Sequence, residues 1–513
     1  MVQMSDVSRS GWATVSVAAL MALAVPSPAV ACTPGTDGGV ATLTCDGVRT
    51  EQLVDDVDGT VVTVTPSGSV VVPSANALDL RGNGQTLVNL GQVEGGGDSD
   101  AVRASGSDLT VENSGTLTGT DRGIRLVGGT GGFTLRNHED GQILARRQAV
   151  RLDNDALLAG NLFENRGLIE STEGRAIQSR GPGNTVINHA TGRMLGGEEV
   201  IEGRMDFHVT NYGLIALRGL EWDPDTFTWT DNGATVDEDG IQFASGSVHN
   251  HGVILATDDG VDIDEGTVHN HATGVIVSAG VDTERNAAGI DIDEVLQDPG
   301  GPRDGEIPRK VTIMNDGYIE GPRAIAAAEG AVHPIDILNT GTLIGRGGTA
   351  IDLAPGQGDT TITLSDGSVI DGDILFGGGG TNTLVLGPFS EGAGMNGSIS
   401  ARGGTPEDIA AGTGTPYGFD VVFGDMVGLG DFRSFWRGGE RFTLNLAAGG
   451  GTIGFTLFGV EDVRFGGTSY SADGFAAFLA GEGVNVIPLP AAGWLLLGGL
   501  GTLAALRRRR RAA

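Results

Sequence analysis

Short segments in which apolar and polar residues alternate recur along most of the chain, and they come in sets of three. One segment leads into an asparagine, as in residues 109–113 (LTVEN), and one follows a nearby glycine, as in residues 115–117 (GTL). The third reads small, aliphatic, polar, aliphatic, as in residues 123–126 (GIRL). Because alternation with a period of two is typical of strands that bury one face, each set predicts three short β-strands.

The asparagine and the glycine recur together ten times, and most successive asparagines are 20 to 28 residues apart. A period in the twenties is typical of a solenoid, so the pattern predicts an all-β fold, a right-handed parallel β-helix of about ten coils over residues 60–386. We expect Asn and Gly to supply the left-handed backbone of a tight corner, and the stacked amides to hydrogen-bond along the column. The asparagines are Asn89, Asn113, Asn137, Asn165, Asn188, Asn211, Asn250, Asn270, Asn315 and Asn339.

Segments on either side of the repeats predict separate units. Residues 1–31 have the apolar run and the small residues of a signal peptide, which signal peptidase would remove. Residues 32–59 are expected to cap the first coil, and residues 387–480, which lose the Asn-Gly period, to form a β-rich terminal domain. Cys32 and Cys45 are the only cysteines, so we expect a disulfide between them, which fits an oxidising compartment.

The charge balance narrows the range of partners. The chain has 65 acidic and 32 basic residues and a formal net charge of −33. Such an excess of negative charge argues against nucleic acid as a partner and for a solvated surface that attracts cations.

Residues 481–513 contain a second targeting signal. A short proline motif at 487–491 (IPLPA) precedes an apolar stretch at 492–506 and a run of arginines. The stretch predicts a short transmembrane helix, with the arginines in the cytoplasm and the preceding chain outside the inner membrane. The residues of the motif and the arginine run are Pro488, Leu489, Pro490, Ala491, Arg507, Arg508, Arg509, Arg510 and Arg511.

This order of motif, span and arginine run resembles the PEP-CTERM class of sorting domains, and most closely its VPLPA-CTERM variant, which has valine in place of Ile487. The resemblance implies recognition and cleavage by an exosortase-like membrane protease, followed by release or attachment at the cell surface. A plain C-terminal membrane anchor is the alternative, and it places the protein on the same side of the membrane.

The repeats at residues 60–386 resemble the passenger domains of autotransporter adhesins, which are parallel β-helices with similar Asn-x-Gly-x-Ile coils. The resemblance concerns the architecture and carries over no catalytic residue. It implies the β-helical architecture of a secreted protein, and the notion of self-translocation does not carry over to this chain.

Alignment of the coils predicts an outward row of stacked residues from the third segment, basic near the start of the rod and acidic later. Like charges at the spacing of roughly 4.8 Å between coils repel each other unless ions or neighbours compensate. The row contains Arg103, Arg125, Arg151, Gln178, Glu202, Gln242, Asp262, Asp291, Ala326 and Asp352.

The acidic part of the row predicts a candidate site in which Asp262 and Asp264 lie beside Asp291 and Asp293. Four carboxylates in such an array suit Ca²⁺, which prefers oxygen ligands; a solvated acidic face without a ligand is the alternative. Closely paired carboxylates also suit glycan cleavage, in which case Asp262 and Asp291 are the candidate catalytic residues.

The coils with these aspartates also carry half of the eight histidines of the chain. The sequence around His249 and His251 repeats around His269 and His271, so the imidazoles are expected to stack. Stacked imidazoles suit the binding of a transition metal ion. Duplication of a coil is the alternative, and it explains the repeated histidines without any ligand.

An insertion between Asn211 and Asn250 contains the aromatic residues Trp222, Phe227 and Trp229. Insertions in a solenoid emerge on its flank, where binding sites usually arise. The aromatic rings suit the stacking of sugar rings, and packing of the loop onto the rod is an equal alternative.

Two functions are compatible with these patterns. The first is a secreted, surface-sorted structural or adhesive rod of the cell envelope or extracellular matrix, whose partners are extracellular polysaccharide or other surface proteins. The second is a polysaccharide lyase or glycoside hydrolase that acts from the acidic face. No common catalytic motif is present, which favours the rod.

Overall fold

The structure is a computed structural model that describes residues 31–486 except 130, 154–158, 234–237, 281–286, 294–308, 329, 404–414, 417 and 439–440. Residues 1–30 of the predicted signal peptide, the IPLPA motif, the predicted span at 492–506 and the arginine run lie outside the described residues. In the part of the chain that is described, no helix is long and apolar enough to cross a membrane.

The regular elements of the described chain are almost all β-strands, and most of them stack in three columns, one for each segment of the repeat. Each strand pairs in parallel with the strand at the same place one coil further on, as Ile124 pairs with Val150. These pairings confirm the all-β solenoid and are the connectivity of a parallel β-helix. The stacking also extends beyond the ten asparagine coils in both directions.

The first column contains the strands that lead into the asparagines and their equivalents at both ends. Two of its strands, Ile241–Asn250 and Val261–Asn270, begin in the third column and continue into the first. The first column comprises Val40–Cys45, Val61–Val64, Thr86–Asn89, Thr110–Asn113, Thr134–Asn137, Leu162–Asn165, Thr185–Asn188, Phe207–Asn211, Ile241–Asn250, Val261–Asn270, Val311–Asn315, Ile335–Asn339, Thr360–Asp366, Asn382–Phe389, Phe419–Phe423 and Val460–Phe465.

The second and third columns follow in each coil, and strands Thr342–Asp352 and Val369–Phe376 contribute to both. The second column comprises Val48–Arg49, Ser69–Val72, Gln92–Gly95, Thr116–Gly119, Gln142–Ala145, Leu168–Ser171, Arg193–Gly196, Leu214–Leu217, Val253–Ala256, Val275–Ser278, Tyr318–Gly321, Thr342–Asp352, Val369–Phe376 and Gly394–Asn396. The other strands of the third column are Leu53–Asp55, Leu78–Leu80, Val102–Ala104, Ile124–Leu126, Val150–Leu152, Ile177–Ser179, Ile201–Glu202, Ala288–Ile292, Arg323–Ala327, Ile399–Gly403 and Gly451–Phe458.

The core is a continuous column of apolar side chains inside the coils. The alternating strands turn every second residue inward, and Val111, Leu135, Phe163 and Val186 follow one another along the rod with no exposed surface. Burial of this kind stabilises by roughly 25 cal/mol for each Å² of apolar surface removed from water. A single coil cannot close such a core, so the stability of each coil depends on its neighbours.

An asparagine ladder runs through the interior beside this core. The Nδ2 group of each of the first nine asparagines donates a hydrogen bond to the Oδ1 atom of the asparagine in the next coil, at 2.7–2.9 Å in all nine links. All ten side chains are fully buried. The expected bonding between stacked amides is therefore present, and it satisfies polar groups that would otherwise be costly to bury.

The glycines of the motif have a different role from the one that the sequence suggested. None of the ten asparagines or their glycines adopts a positive φ, so the expected left-handed corner is wrong. A Cβ atom on Gly115 would instead lie 2.1 Å from the carbonyl oxygen of Gly91, and one on Gly213 2.2 Å from that of Gly192. Glycine is required because the backbones of successive coils approach too closely for a side chain.

The N-terminal end of the stack is closed by an antiparallel strand, Cys32–Asp37, which pairs with Val40–Cys45. Cys32 and Cys45 face each other in this pair and form the expected disulfide. Val40–Cys45 then pairs in parallel with Val61–Val64, so the disulfide is joined directly to the first coils.

The C-terminal end is covered by antiparallel strands and a helix. The helix begins after Ser471, whose Oγ accepts a hydrogen bond from the backbone N–H of Gly474. Its buried residue Phe475 packs against Phe423 and Phe432. The elements of this region that are outside the columns are Thr415–Pro416, the 3₁₀ turn Leu429–Asp431, Phe432–Gly438, Arg441–Ala448, Thr468–Ser471, the helix Ala472–Gly481 and Asn485–Val486.

Replacement of a ladder asparagine by valine should cost more in the middle of the ladder than at its end. Asn188→Val removes the acceptor of Asn165 and the donor of Asn211, and we expect the free energy of unfolding to fall by about 2–4 kcal/mol, because each unsatisfied buried group costs about 1–3 kcal/mol. Urea unfolding followed by circular dichroism measures this loss.

Asn339→Val is the matched control, because it removes one ladder bond, the one from Asn315, where Asn188→Val removes two. Both asparagines also donate to the carbonyl oxygen of their own motif glycine, so that loss is common to the two variants. Valine is a suitable replacement because Val64 already occupies the equivalent position beside Asn89. We expect about half the loss seen for Asn188→Val, and equal losses would contradict a role for the ladder bonds.

Candidate functional site

The outward row is stacked in the register that the sequence predicted. Each of its ten residues, from Arg103 to Asp352, pairs with the next member of the row in the following coil. The change from basic to acidic side chains therefore takes place along one line on the rod.

Ion pairs neutralise the basic part of the row. Asp153 accepts hydrogen bonds from both Arg125 and Arg151, at 2.7 and 2.5 Å. Two coils further, the carboxylate of Glu202 bonds to Gln178 and forms an ion pair of 2.7 Å with Arg175. The charges of Arg125, Arg151 and Glu202 are thus compensated by side chains of the same or an adjacent coil.

The acidic part of the row forms a partly enclosed cluster. One carboxylate oxygen each from Asp262, Asp291 and Asp293 lie within 4.8 Å of one another, and we call these three residues the acidic trio. Asp264, the fourth predicted member, does not belong to this group and is 6% exposed. Asp262 is only 7% exposed, whereas Asp291 and Asp293 are partly exposed, so one member of the trio is less accessible than the outer face that the sequence suggested.

The hydrogen bonds of Asp262 are incomplete. Its Oδ2 atom accepts a bond of 2.8 Å from Gln242 in the preceding coil. Its Oδ1 atom is buried and, among the described residues, has no hydrogen-bond partner. A buried carboxylate oxygen without a partner is costly unless the group is protonated or bound to a cation.

Burial and mutual repulsion disfavour ionisation of the trio. Burial, followed by the charge of Asp293, raises the pKa of Asp262 to about 7. Burial, followed by the charges of Asp262 and Asp293, raises the pKa of Asp291 to about 8, although Arg323 opposes this shift. Carboxyl groups with raised pKa values of this kind are frequent at functional sites.

A second acidic group, which sequence reasoning missed, lies next to the trio. Oxygen atoms of Asp239, Asp258 and Asp259 also lie within 4.8 Å of one another. The backbone N–H of Asp259 donates to Asp239, and that of Ala288 donates to Asp259, at 3.1 and 2.7 Å. Burial is the main cause that raises the pKa of both Asp239 and Asp259.

The sequence contains a pattern that predicts this second acidic group. Asp239 and Asp259 immediately precede the small residue that opens the third segment, and Arg122 and Arg175 occupy the same place in other coils. Alignment of that position would have revealed a second column of charged side chains beside the outward row.

The four predicted histidines lie together on the outside of the ladder corner, and we call them the histidine cluster. His249 pairs with His269 in adjacent strands, and the rings of His251 and His271 stack with their centroids 3.7 Å apart. Burial, followed by repulsion from neighbouring imidazoles, lowers the pKa of His249 and of His251, and lowers that of His271 to about 4.

The aromatic residues of the first insertion form a hairpin that folds back on the rod. Its strands, Leu220–Asp223 and Thr228–Asp231, place Trp222 opposite Trp229. The ring centroid of Trp222 lies 6.0 Å from that of Tyr318, and the guanidinium group of Arg346 lies 5.4 Å from the Trp229 ring centroid.

Phe227, at the turn of this hairpin, remains 57% exposed and also contacts Tyr318. Both expected roles are thus compatible with the hairpin, because the tryptophans attach it to the rod while Phe227 keeps an open face. The second insertion, Gln297 to Arg309, falls mostly outside the described residues.

Comparison of the chain with models of known protein families, with curated proteins and with solved structures found no match.

The arrangement permits two kinds of chemistry at the acidic trio. Its oxygen atoms suit Ca²⁺, which takes six to eight oxygen ligands and tolerates irregular geometry. A protonated carboxyl beside an ionised one also suits general acid and base catalysis.

The contribution of the acidic trio to stability should fall as the pH rises from about 4 to about 8. The folded-state pKa values of Asp262 and Asp291 lie above the ordinary value of 3.8, so the folded protein binds more protons than the unfolded chain throughout this range. The stabilisation is present below pH 4 and is lost as the pH passes through 7 and 8. We expect a lower melting temperature at pH 8.5 than at pH 6 in the presence of a chelator.

Asp291→Asn should reduce this pH dependence, because it removes one titrating group and its repulsion on Asp262. The exposed Asp140→Asn is the control that changes the net charge equally. Added Ca²⁺ should raise the melting temperature at pH 8.5 in the wild type and less in Asp262→Asn. A pH profile unaltered by Asp291→Asn would exclude the trio as its source.

Proposed function

We propose that the protein is an exported, surface-sorted structural or adhesive rod that contributes to the cell envelope or the extracellular matrix. The observation that carries this proposal is the unbroken parallel stacking from Val40–Cys45 to Val460–Phe465, which builds nearly all of the described chain into one stack. In a right-handed β-helix, 15 steps between the 16 strands of the first column at roughly 4.8 Å give a rod about 70 Å long.

Export is supported by the disulfide between Cys32 and Cys45, because disulfides persist in oxidising compartments. We propose that signal peptidase removes residues 1–31, and that an exosortase-like protease acts near the IPLPA motif while residues 492–506 span the inner membrane. The protein is then held at the cell surface or released.

A rod of this kind has polar and acidic surfaces for contact with other molecules. Extracellular polysaccharide is a suitable partner for the exposed ring of Phe227, with Trp222 and Trp229 holding the hairpin in place. Other surface proteins are the second class of partner. We also propose that Ca²⁺ binds the acidic trio and stabilises the protein by offsetting the repulsion between the carboxylates.

Mass spectrometry of the protein from its native cells tests the sorting proposal. We expect the mature form to lack residues 1–31 and the residues that follow the IPLPA motif, and to be accessible to protease added outside intact cells. Alanine in place of Pro488 and Pro490 should retain the C-terminal segment.

An intact C-terminus on a protein that is accessible at the surface would support a plain anchor instead. Protection from external protease in intact cells, with digestion only after lysis, would contradict surface display.

The alternative function, a polysaccharide lyase or glycoside hydrolase, is favoured by one observation. The oxygen atoms of Asp262 and Asp291 lie within 4.8 Å, close to the separation of about 5 Å between the carboxyl groups of retaining glycosidases. The low exposure of Asp262 argues against it, because a glycan must reach the reacting groups.

Incubation of the full chain with a panel of acidic and neutral glycans distinguishes the two functions. We expect neither reducing ends nor unsaturated products from the wild type. Product formation that Asp262→Asn and Asp291→Asn abolish, and that Asp140→Asn leaves unchanged, would overturn the structural proposal.

A further inference from the structure

The histidine cluster differs from the acidic trio in the ligands that it offers, because it presents imidazole nitrogens in place of carboxylate oxygens. His249 and His269 are paired residues of the strands Ile241–Asn250 and Val261–Asn270. His251 and His271 directly follow the ladder asparagines of the same coils, so their backbones are fixed by the asparagine ladder. All four imidazoles are therefore attached to the most regular part of the rod.

The distance between two of these nitrogens matches a tetrahedral metal site. The Nδ1 atom of His249 lies 3.4 Å from the Nε2 atom of His271. Two imidazole nitrogens, each about 2.0–2.1 Å from a tetrahedral Zn²⁺ ion, are separated by about 3.3–3.4 Å. A ring nitrogen of His269 completes a group in which all three nitrogens lie within 4.8 Å of one another.

The third imidazole is oriented by a carboxylate in the manner of many metal ligands. The Nε2 atom of His269 lies 2.8 Å from the Oδ2 atom of Asp316, and the Oδ1 atom of Asp316 accepts a hydrogen bond of 2.8 Å from Thr340. With Nε2 as the donor to Asp316, the neutral imidazole of His269 keeps a lone pair on Nδ1. Metal-binding histidines commonly use their second nitrogen in this way.

Ring stacking holds the other imidazoles in position. His271 stacks on His251, and His251 stacks on Tyr212 of the preceding coil with 4.7 Å between the ring centroids. Because stacked rings resist rotation, the nitrogen of His271 is held towards His249 before any ion binds.

Duplication of one coil would explain why the histidines are repeated. It would not explain why the carboxylate of Asp316 lies beside them. That residue belongs to the next coil, in which Met314 takes the place of His269. Its carboxylate is nevertheless in contact with the cluster, so two different coil sequences contribute to one arrangement.

We propose that His249, His269 and His271 bind one divalent transition metal ion of the zinc class, with Asp316 as the positioning residue of His269. Three imidazole ligands leave a fourth coordination position for water or for a donor atom of a binding partner. The ion would also link the coils of Asn250 and Asn270 on the outside of the rod.

Cobalt titration of the full chain, stripped of metal by a chelator, tests this proposal. We expect one Co²⁺ ion per chain, with the intense visible absorption of four-coordinate cobalt, and displacement by one equivalent of Zn²⁺. His271→Ala should abolish the visible band. Asp316→Asn should weaken binding roughly 10- to 100-fold, because it removes the partner that orients His269.

His138→Ala is the matched control. His138 follows the ladder residue Asn137 as His271 follows Asn270, and it contacts Glu112 in place of another histidine. The cobalt spectrum and the affinity should be unchanged in this variant, and circular dichroism of every variant verifies the fold.

Three results would overturn the proposal. They are the absence of the visible band in the wild type, binding that persists in His271→Ala, and binding that is lost in an Asp262→Asn, Asp291→Asn double variant while His271→Ala retains it. The last result would place the ion at the acidic trio.

Discussion

The hydrogen bond between the side-chain amides of successive ladder asparagines is the interaction on which the other features depend. Each amide is fully buried, so each coil must present its asparagine at the same height and angle as the coil before. The link is equally short across the two long insertions, at 2.9 Å from Asn211 to Asn250 and from Asn270 to Asn315. The length of chain between two successive ladder asparagines can therefore vary without a change in the register of the strands.

This fixed register explains why so much of the fold could be predicted from the sequence. An asparagine that recurs with a glycine sets the start of each coil, and alternation with a period of two sets which residues point outward. The pairing of Gln242 with Asp262 and of Asp262 with Asp291 follows from these two facts alone. Long-range neighbours become predictable because one residue type marks the same place in every coil.

Other properties depend on contacts between residues of different coils. The need for Gly115 arises from the carbonyl of Gly91 in the previous coil and not from its own backbone angles. The low exposure of Asp262 depends on the groups packed around it, and the orientation of Trp229 depends on Arg346, more than a hundred residues away in sequence. Position within a coil was predictable, whereas the contacts of a side chain with distant segments were not.

The electrostatics of the rod divide it into two parts. In the first, arginines and carboxylates alternate closely enough to compensate each other, as Arg125 and Arg151 do with Asp153. In the second, Asp262, Asp291 and Asp293 are close together, and two of them have raised pKa values. Repulsion between these carboxylates lowers the stability of the fold. Destabilising clusters of this kind are commonly found where a protein binds a ligand or catalyses a reaction.

The ladder also has a direction, since in all nine links the donor belongs to the earlier coil and the acceptor to the later one. Every coil of the ladder therefore offers the same donor on one side and the same acceptor on the other. If a whole coil is inserted or deleted, each asparagine Nδ2 donor in the ladder still lies next to an Oδ1 acceptor. The identical segments 248–251 and 268–271 are the trace that such a gain would leave, and the length of the rod can thus evolve in steps of one coil.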